Sequence, residues 1–191
     1  MIMDDIALFG KKQEPIIIRV EKAKELIQRG IKYFFGESGV WMPEYDDIAS
    51  WLSDNKGKGL LCVGDSGRGK TFLTDRIVCP IIQKYSTQPN MRVVFIRGYS
   101  MKEDYDKEFG RIVLLDDVGV ERDQRVYGEK LTVFNQIVYE AELFGRLLIV
   151  TTNLTIEELK EKYGERTIDR LRALTRPVVF RGDSLRTKLK T

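Results

Sequence analysis

Gly64, Asp65, Ser66, Gly67, Arg68, Gly69, Lys70 and Thr71 follow one another in the pattern G-x-x-x-x-G-K-[ST]. Each residue type answers to a phosphate chain. Glycines let the backbone turn back so that its N–H groups converge on phosphate oxygens, and a helix starting there adds its positive end. Lys70 is placed to reach the β- and γ-phosphates, and the Thr71 hydroxyl to ligate Mg²⁺. Phe72 follows directly and is counted among the nucleotide-contacting residues. The flanks agree with this chemistry. Gly59–Val63 reads as a short buried strand, and Thr71–Val78 carries apolar residues at helical spacing. An ordinary glycine-rich turn would require neither flank, whereas a phosphate-binding loop requires both. The expected ligand is a nucleoside triphosphate.

A second group of residues supplies charge. Four aliphatic residues precede Asp116 and Asp117, which puts two carboxylates at the end of a buried strand. Beside a phosphate loop, Asp116 can hold Mg²⁺ through water, and Asp117 can orient or deprotonate an attacking water. The bland alternative is a turn, since Asp-Asp-Val-Gly is good turn chemistry. Thr151, Thr152 and Asn153 end a further strand, where Asn153 can position a water or simply turn the chain into the next helix. Arg166 and Arg170 lie one helical turn apart. An arginine lent by a neighbouring subunit neutralises charge on a transferring phosphoryl group, but a solvated face paired with Glu165 and Asp169 accounts equally for that spacing.

The elements that must position these residues alternate along the chain. Strands are expected at Gly59–Val63, Met91–Ile96, Arg111–Asp116, Arg146–Thr151 and Pro177–Phe180, with helices between them. Strands apolar throughout, alternating with helices, imply an α/β fold with a parallel sheet covered on both faces. Upstream, Pro15–Val20 is a β-like run that suits either an edge strand or a docking segment. A helix over Glu21–Tyr33 puts Ala23, Leu26, Ile27 and Phe34 on one stripe, with Gly36 closing it. Asp46 is the expected cap of a helix to about Asp54 that buries Ile48, Trp51 and Leu52. The stretch from Trp41 to Trp51 can close over a base or simply fill core. Pro80 and Pro89-Asn90 punctuate the chain after the helix that follows the loop. Ser100 to about Phe109 reads as helical, and Glu129–Phe144 as the longest helix, burying Leu131, Phe134, Ile137, Val138 and Ala141. Thr155–Glu158 is a capping box opening another helix to about Tyr163, and Arg166–Ala173 is helical.

Composition bounds what such a chain can be. Its 191 residues suit one α/β domain with a short extension: residues 1–45 as the extension, 46–191 as the nucleotide-binding domain. A net charge of +3 permits a polyanionic partner without demanding one. Two cysteines, with no histidine, cannot close a zinc tetrahedron without other ligands, which argues against a structural zinc site, and Cys62 is expected as core filler. No run of 18 apolar residues and no signal-peptide layout is present, so a cytoplasmic protein without membrane association is expected.

The order of motifs resembles the AAA+ ATPases of the DnaC/IstB type, bacterial helicase loaders and transposition helper ATPases. Gly64–Thr71, Leu114–Gly119, Thr151–Leu154, Tyr163–Leu171 and Phe180–Arg186 carry the resemblance, which covers about residues 45–186. It implies a P-loop NTPase sheet in the order 5-1-4-3-2, ATP as the nucleotide with Mg²⁺, and a site shared between self-associating subunits. It further implies Asn153 as the first sensor, Arg166 as the arginine finger with Arg170 in reserve, and single-stranded DNA with a replicative helicase or a transposase as partners. Asp117 stands where many AAA+ proteins have glutamate, and its shorter reach implies slow hydrolysis. No helical lid is expected after the fifth strand. Two competing classes are a small-molecule kinase, for which no Arg-rich lid insertion is found, and a non-enzymatic nucleic-acid binder. The latter would use Arg92, Arg97, Tyr99, Lys102 and Tyr105 near the second strand, a mixture equally suited to an ordinary surface.

Overall fold

In the computed structural model, residues 14–86, 91–105, 110–121 and 132–185 are described. The five expected strands are present: β1 (Gly59–Gly64), β2 (Val93–Arg97), β3 (Ile112–Val118), β4 (Leu147–Thr152) and β5 (Thr175–Phe180). All pair in parallel in the order β2-β3-β4-β1-β5, which is the 5-1-4-3-2 arrangement. The apolar runs have the reason inferred from them. Leu60, Cys62, Leu114 and Ile149 face one buried layer, whereas Leu61, Val63, Leu115 and Val150 face the other. Period-two alternation thus feeds two cores, one on each side of the sheet.

The first layer holds α1 (Ala23–Phe35), α2 (Glu44–Ser53) and the helical run that follows the phosphate loop. That run comprises α3 (Lys70–Leu73), a π-turn (Thr74–Val78) and α4 (Cys79–Tyr85). Pro80 therefore does not end the helix, contrary to the sequence expectation. A proline ring meets the carbonyl four residues back and offers no N–H. The π-turn immediately before it absorbs the conflict, with the Cys79 N–H bonded five residues back to Thr74 O.

Other boundaries are corrected by packing. Asp46 is not the cap of α2, which starts two residues earlier at Glu44. The Asp46 carboxylate instead accepts from Lys24 Nζ at 2.6 Å and Trp41 Nε1 at 3.1 Å, and these bonds hold it below the usual carboxylate range. The run Pro15–Val20 is not a strand but a docked extended segment. Ile16, Ile18 and Val20 are buried, and Asn55 clips the segment by accepting from Ile18 N–H and donating to Ile16 O. On α1 the buried stripe is Ala23, Ile27 and Ile31, and Phe34 is exposed. Gly36, at φ 57°, closes the helix as expected.

The opposite layer holds α5 (Met101–Tyr105), α6 (Val133–Phe144), α7 (Ile156–Tyr163) and α8 (Glu165–Leu174). Helix α6 starts at Val133, capped by Thr132, and buries Phe134, Ile137, Val138 and Ala141; Glu129 and Leu131 lie outside the described residues. So do Pro89, Asn90 and residues 106–109 of the helix expected from Ser100 to about Phe109. The Thr155–Glu158 capping box forms in both directions. No described helix is long and apolar enough to cross a membrane.

Candidate nucleotide-binding site

The phosphate loop leaves β1 at the carboxyl edge of the sheet and enters α3, with β1 held between β4 and β5. Gly67 and Gly69 have φ of 77° and 81°, the left-handed region that side chains resist. The Lys70 ammonium sits inside the loop, bonded to Gly64 O at 2.7 Å, Asp65 O at 2.8 Å and Asn153 Oδ1 at 2.7 Å. Burial pulls its pKa down, and the nearby Asp117, Asp65 and Asp116 carboxylates act against that. The loop and the end of β4 therefore meet at one nitrogen, beside the carboxylates of β3.

The acidic edge is built by β3 and β4 together. A register shift between Leu115 and Val118 places Asp117 on a bulge at φ 53°. Thr151 supports it from β4: its hydroxyl accepts the Asp117 N–H at 2.9 Å and donates to Asp116 Oδ1 at 2.8 Å. Asp116 is buried behind the bulge, while Asp117 faces the cleft with Asn153 Nδ2 3.5 Å from its Oδ1. A non-glycine residue held in this backbone region costs on the order of 1–3 kcal/mol and persists only where its surroundings impose it. Here Thr151 and Thr152, whose hydroxyl donates to Val118 O at 2.6 Å, impose it.

These residues line a cleft of about 610 Å³ that contains Ser66–Phe72, Asp117 and Asn153. The residues present suit the expected ligand. The loop supplies main-chain donors and a cation, and Thr71 supplies a hard oxygen in the cleft, with the Asp116 carboxylate buried behind it on β3. Among the described residues no group of three or more acidic or cysteine side chains stands ready to hold a metal. Magnesium carried by a nucleotide needs only one or two such ligands. The cleft continues into an apolar recess of about 190 Å³ between Ile31, Phe35, Val40, Met42, Tyr45 and Leu73. Tyr45 lines both spaces, and its hydroxyl is pushed up by burial. Trp51 does not reach them; it is fully buried, with Nε1 donating to Lys58 O and Gly59 O.

Two expected contacts are placed differently. Arg68 borders the cleft, yet its guanidinium is buried against Glu44 Oε1 at 2.8 Å and reaches Asp183 O at 3.3 Å. The segment 181–185 lies across the loop: Asp65 Oδ2 accepts the Gly182 N–H, Leu185 N–H bonds Gly67 O, and Leu185 joins the cleft lining. Arg166 and Arg170 do not line the cleft at all. Arg170 is tied to Glu142 at 2.8 Å and lies over the Tyr139 ring. Arg166 is exposed at the start of α8, with no hydrogen bond or ion pair to another described residue.

Near β2 the expected mixture of basic and aromatic side chains disperses. Arg97 stacks on Phe95, Tyr105 donates to Glu140, and Tyr99 stands alone as the exposed ring. Sequence reasoning missed Thr151 as the prop of both aspartates, Phe35 as a cleft wall, and Glu44 as the partner of Arg68; Tyr45 is the residue of the Trp41–Trp51 stretch that reaches the cleft. The order Thr-Thr-Asn was a signal for the first; the rest depend on contacts across long chain separations.

No protein-family model matches the chain, and no curated protein matches it. Among solved structures it is similar to DnaI, at 19% identity over 86% of this chain and 85% of that one, with a TM-score of 0.51. It is likewise similar to the DnaC helicase loader, at 18% identity over 91% and 96%, TM-score 0.51. AMPPCP-bound DnaA from Aquifex aeolicus matches at 17% identity over 81% of this chain and 54% of that chain, TM-score 0.53. The chain thus shares the α/β fold of these solved structures, with the same kind of five-stranded parallel sheet.

Proposed function

We propose that this chain is an ATP-binding and ATP-hydrolysing AAA+ switch of the DnaC helicase-loader type. The observation that carries the reading is the convergence of Lys70, Asn153 and Asp117 in one cleft, from three elements far apart in sequence. The loop amides and Lys70 bind the polyphosphate, and Thr71, with Asp116 acting through water, would hold Mg²⁺. The metal, when bound with ATP, neutralises charge on the transferred phosphoryl group. Asn153 orients the attacking water and Asp117 takes its proton, its carboxylate kept at the cleft by the bulge and by Thr151.

Arg166 is available to a neighbour rather than to its own cleft, because it is exposed and apart from it. Subunits then assemble head to tail in the ATP state, around single-stranded DNA or against a replicative helicase, and hydrolysis releases them. Within residues 1–45, the side chains that Pro15–Val20 and α1 leave exposed are the docking surface for that partner, and the protein works in the cytoplasm. The AMPPCP-bound state of the DnaA neighbour supports nucleotide binding, and the helicase-loader name of the DnaC neighbour supports the partner.

Titration with ATP and Mg²⁺, followed by phosphate release, tests the reading. Binding in the micromolar range with slow turnover is expected, and no affinity at millimolar ATP would end it. The ATP-trapped Asp117→Asn variant then serves as bait. Recovery of a replicative helicase supports loading, whereas recovery of a transposase assigns the chain to transposition.

A further inference from the structure

Beyond the catalytic bulge, the chain runs through Gly119 to Glu121, and this short stretch is gripped from helix α7. Lys162 Nζ donates to Gly119 O at 2.8 Å and to Glu121 O at 3.0 Å. The Tyr163 hydroxyl donates to Glu121 Oε1, and Glu121 Oε2 accepts the Gly119 N–H at 2.9 Å. The grip is largely out of solvent: Tyr163 is 3% exposed and its ring lies 4.4 Å from that of Phe134. On the other side Leu154 closes against Gly119, where a Cβ would come within 2.5 Å of Leu154 Cδ1. A surface loop would need none of this. Three side chains from one helix end and one strand end converge on residues 119–121, which begin two residues after Asp117.

We propose that Lys162, Tyr163 and Glu121 form a clamp that positions Asp117, and that it makes Asp117 and Arg166 parts of one rigid unit. The clamp lies two to four residues after Asp117, just beyond Asp117 and Val118, which Thr151 and Thr152 hold from β4. Tyr163 is the last residue of α7, Gly164 caps both helices, and Arg166 is the second residue of α8. A displacement of the catalytic carboxylate therefore carries to the arginine offered to the next subunit, and the reverse. Lys162, Tyr163 and Glu121 are positioning residues: none of them lines the nucleotide cleft.

This inference rests on the hydrolytic reading of the cleft, and its test separates the two. Tyr163→Phe removes the hydroxyl and keeps the ring against Phe134; Lys162→Met keeps most of the stem. Each is expected to lower kcat about ten- to a hundredfold, as a misplaced catalytic group does, with KM and ATP affinity unchanged. Amide hydrogen exchange should accelerate over 117–121 and stay slow in Ile112–Leu115. The Tyr163→Phe/Glu121→Gln double variant should lose little more than Tyr163→Phe alone, because the two act as one unit. Unchanged exchange, or faster exchange with wild-type kcat, overturns the clamp, as does a loss confined to KM. A wild-type chain that binds ATP and releases no phosphate instead removes the hydrolytic reading, and the positioning role with it.

Discussion

The phosphate loop and the start of α8 are both stations for cations, and they are built on opposite plans. At the loop, Lys70 is buried, bonded to three oxygens and surrounded by carboxylates of its own chain. At α8, Arg166 stands in solvent, while its neighbour Arg170 is occupied by Glu142 and Tyr139. A site that serves its own ligand can be pre-organised by its own fold. A group that serves another copy must stay unpaired until that copy arrives. The contrast separates two arginines that spacing alone leaves equivalent, and it supports the proposal that Arg166 is the one lent.

The largest break of this comparison is Lys70→Ala, expected to abolish ATP binding and with it turnover in calorimetry and phosphate-release assays. Arg166→Ala should leave ATP affinity intact and lower the turnover of assembled protein about a thousandfold, the scale of a lost arginine finger. Normal turnover in that variant would reject the trans role. Arg68→Ala sharpens the first half of the contrast, because this loop cation is structural. Removing it strands the buried Glu44 carboxylate, and chemical denaturation should report a loss of about 3–5 kcal/mol. Arg170→Ala is the smallest effect: an exposed pair and one cation–ring contact cost about 1 kcal/mol or less in stability, with turnover unchanged. A turnover loss there instead of at Arg166 would exchange the roles of the two.

How much of this was readable beforehand follows the same division. The loop could be recognised from eight consecutive residues because its chemistry is backbone geometry, and backbone geometry is dictated by glycines at set intervals. The capping box of α7 was legible for the same local reason. Pro80 misled, because whether a proline ends a helix or rides over a π-turn depends on what the helix packs against. Here α1 and the sheet hold the run in place on both sides of the turn. Asp46 misled similarly: a good capping residue was taken by Lys24 and Trp41. In the site, Lys70, Asp117 and Asn153 were each identifiable, but their distances were not, since they come from the start of α3, from β3 and from the residue after β4.

By itself the sequence determined the two-sided parallel sheet and the phosphate loop, because both are written in short-range patterns of apolar, glycine and carboxylate residues. The tertiary structure alone decided that Asp117 sits on a bulge propped by Thr151, that Arg68 belongs to Glu44, and that Arg166 rather than Arg170 remains unpaired. Those outcomes depend on which side chains meet across 24 to 34 or more positions of chain, and no local propensity encodes such a meeting.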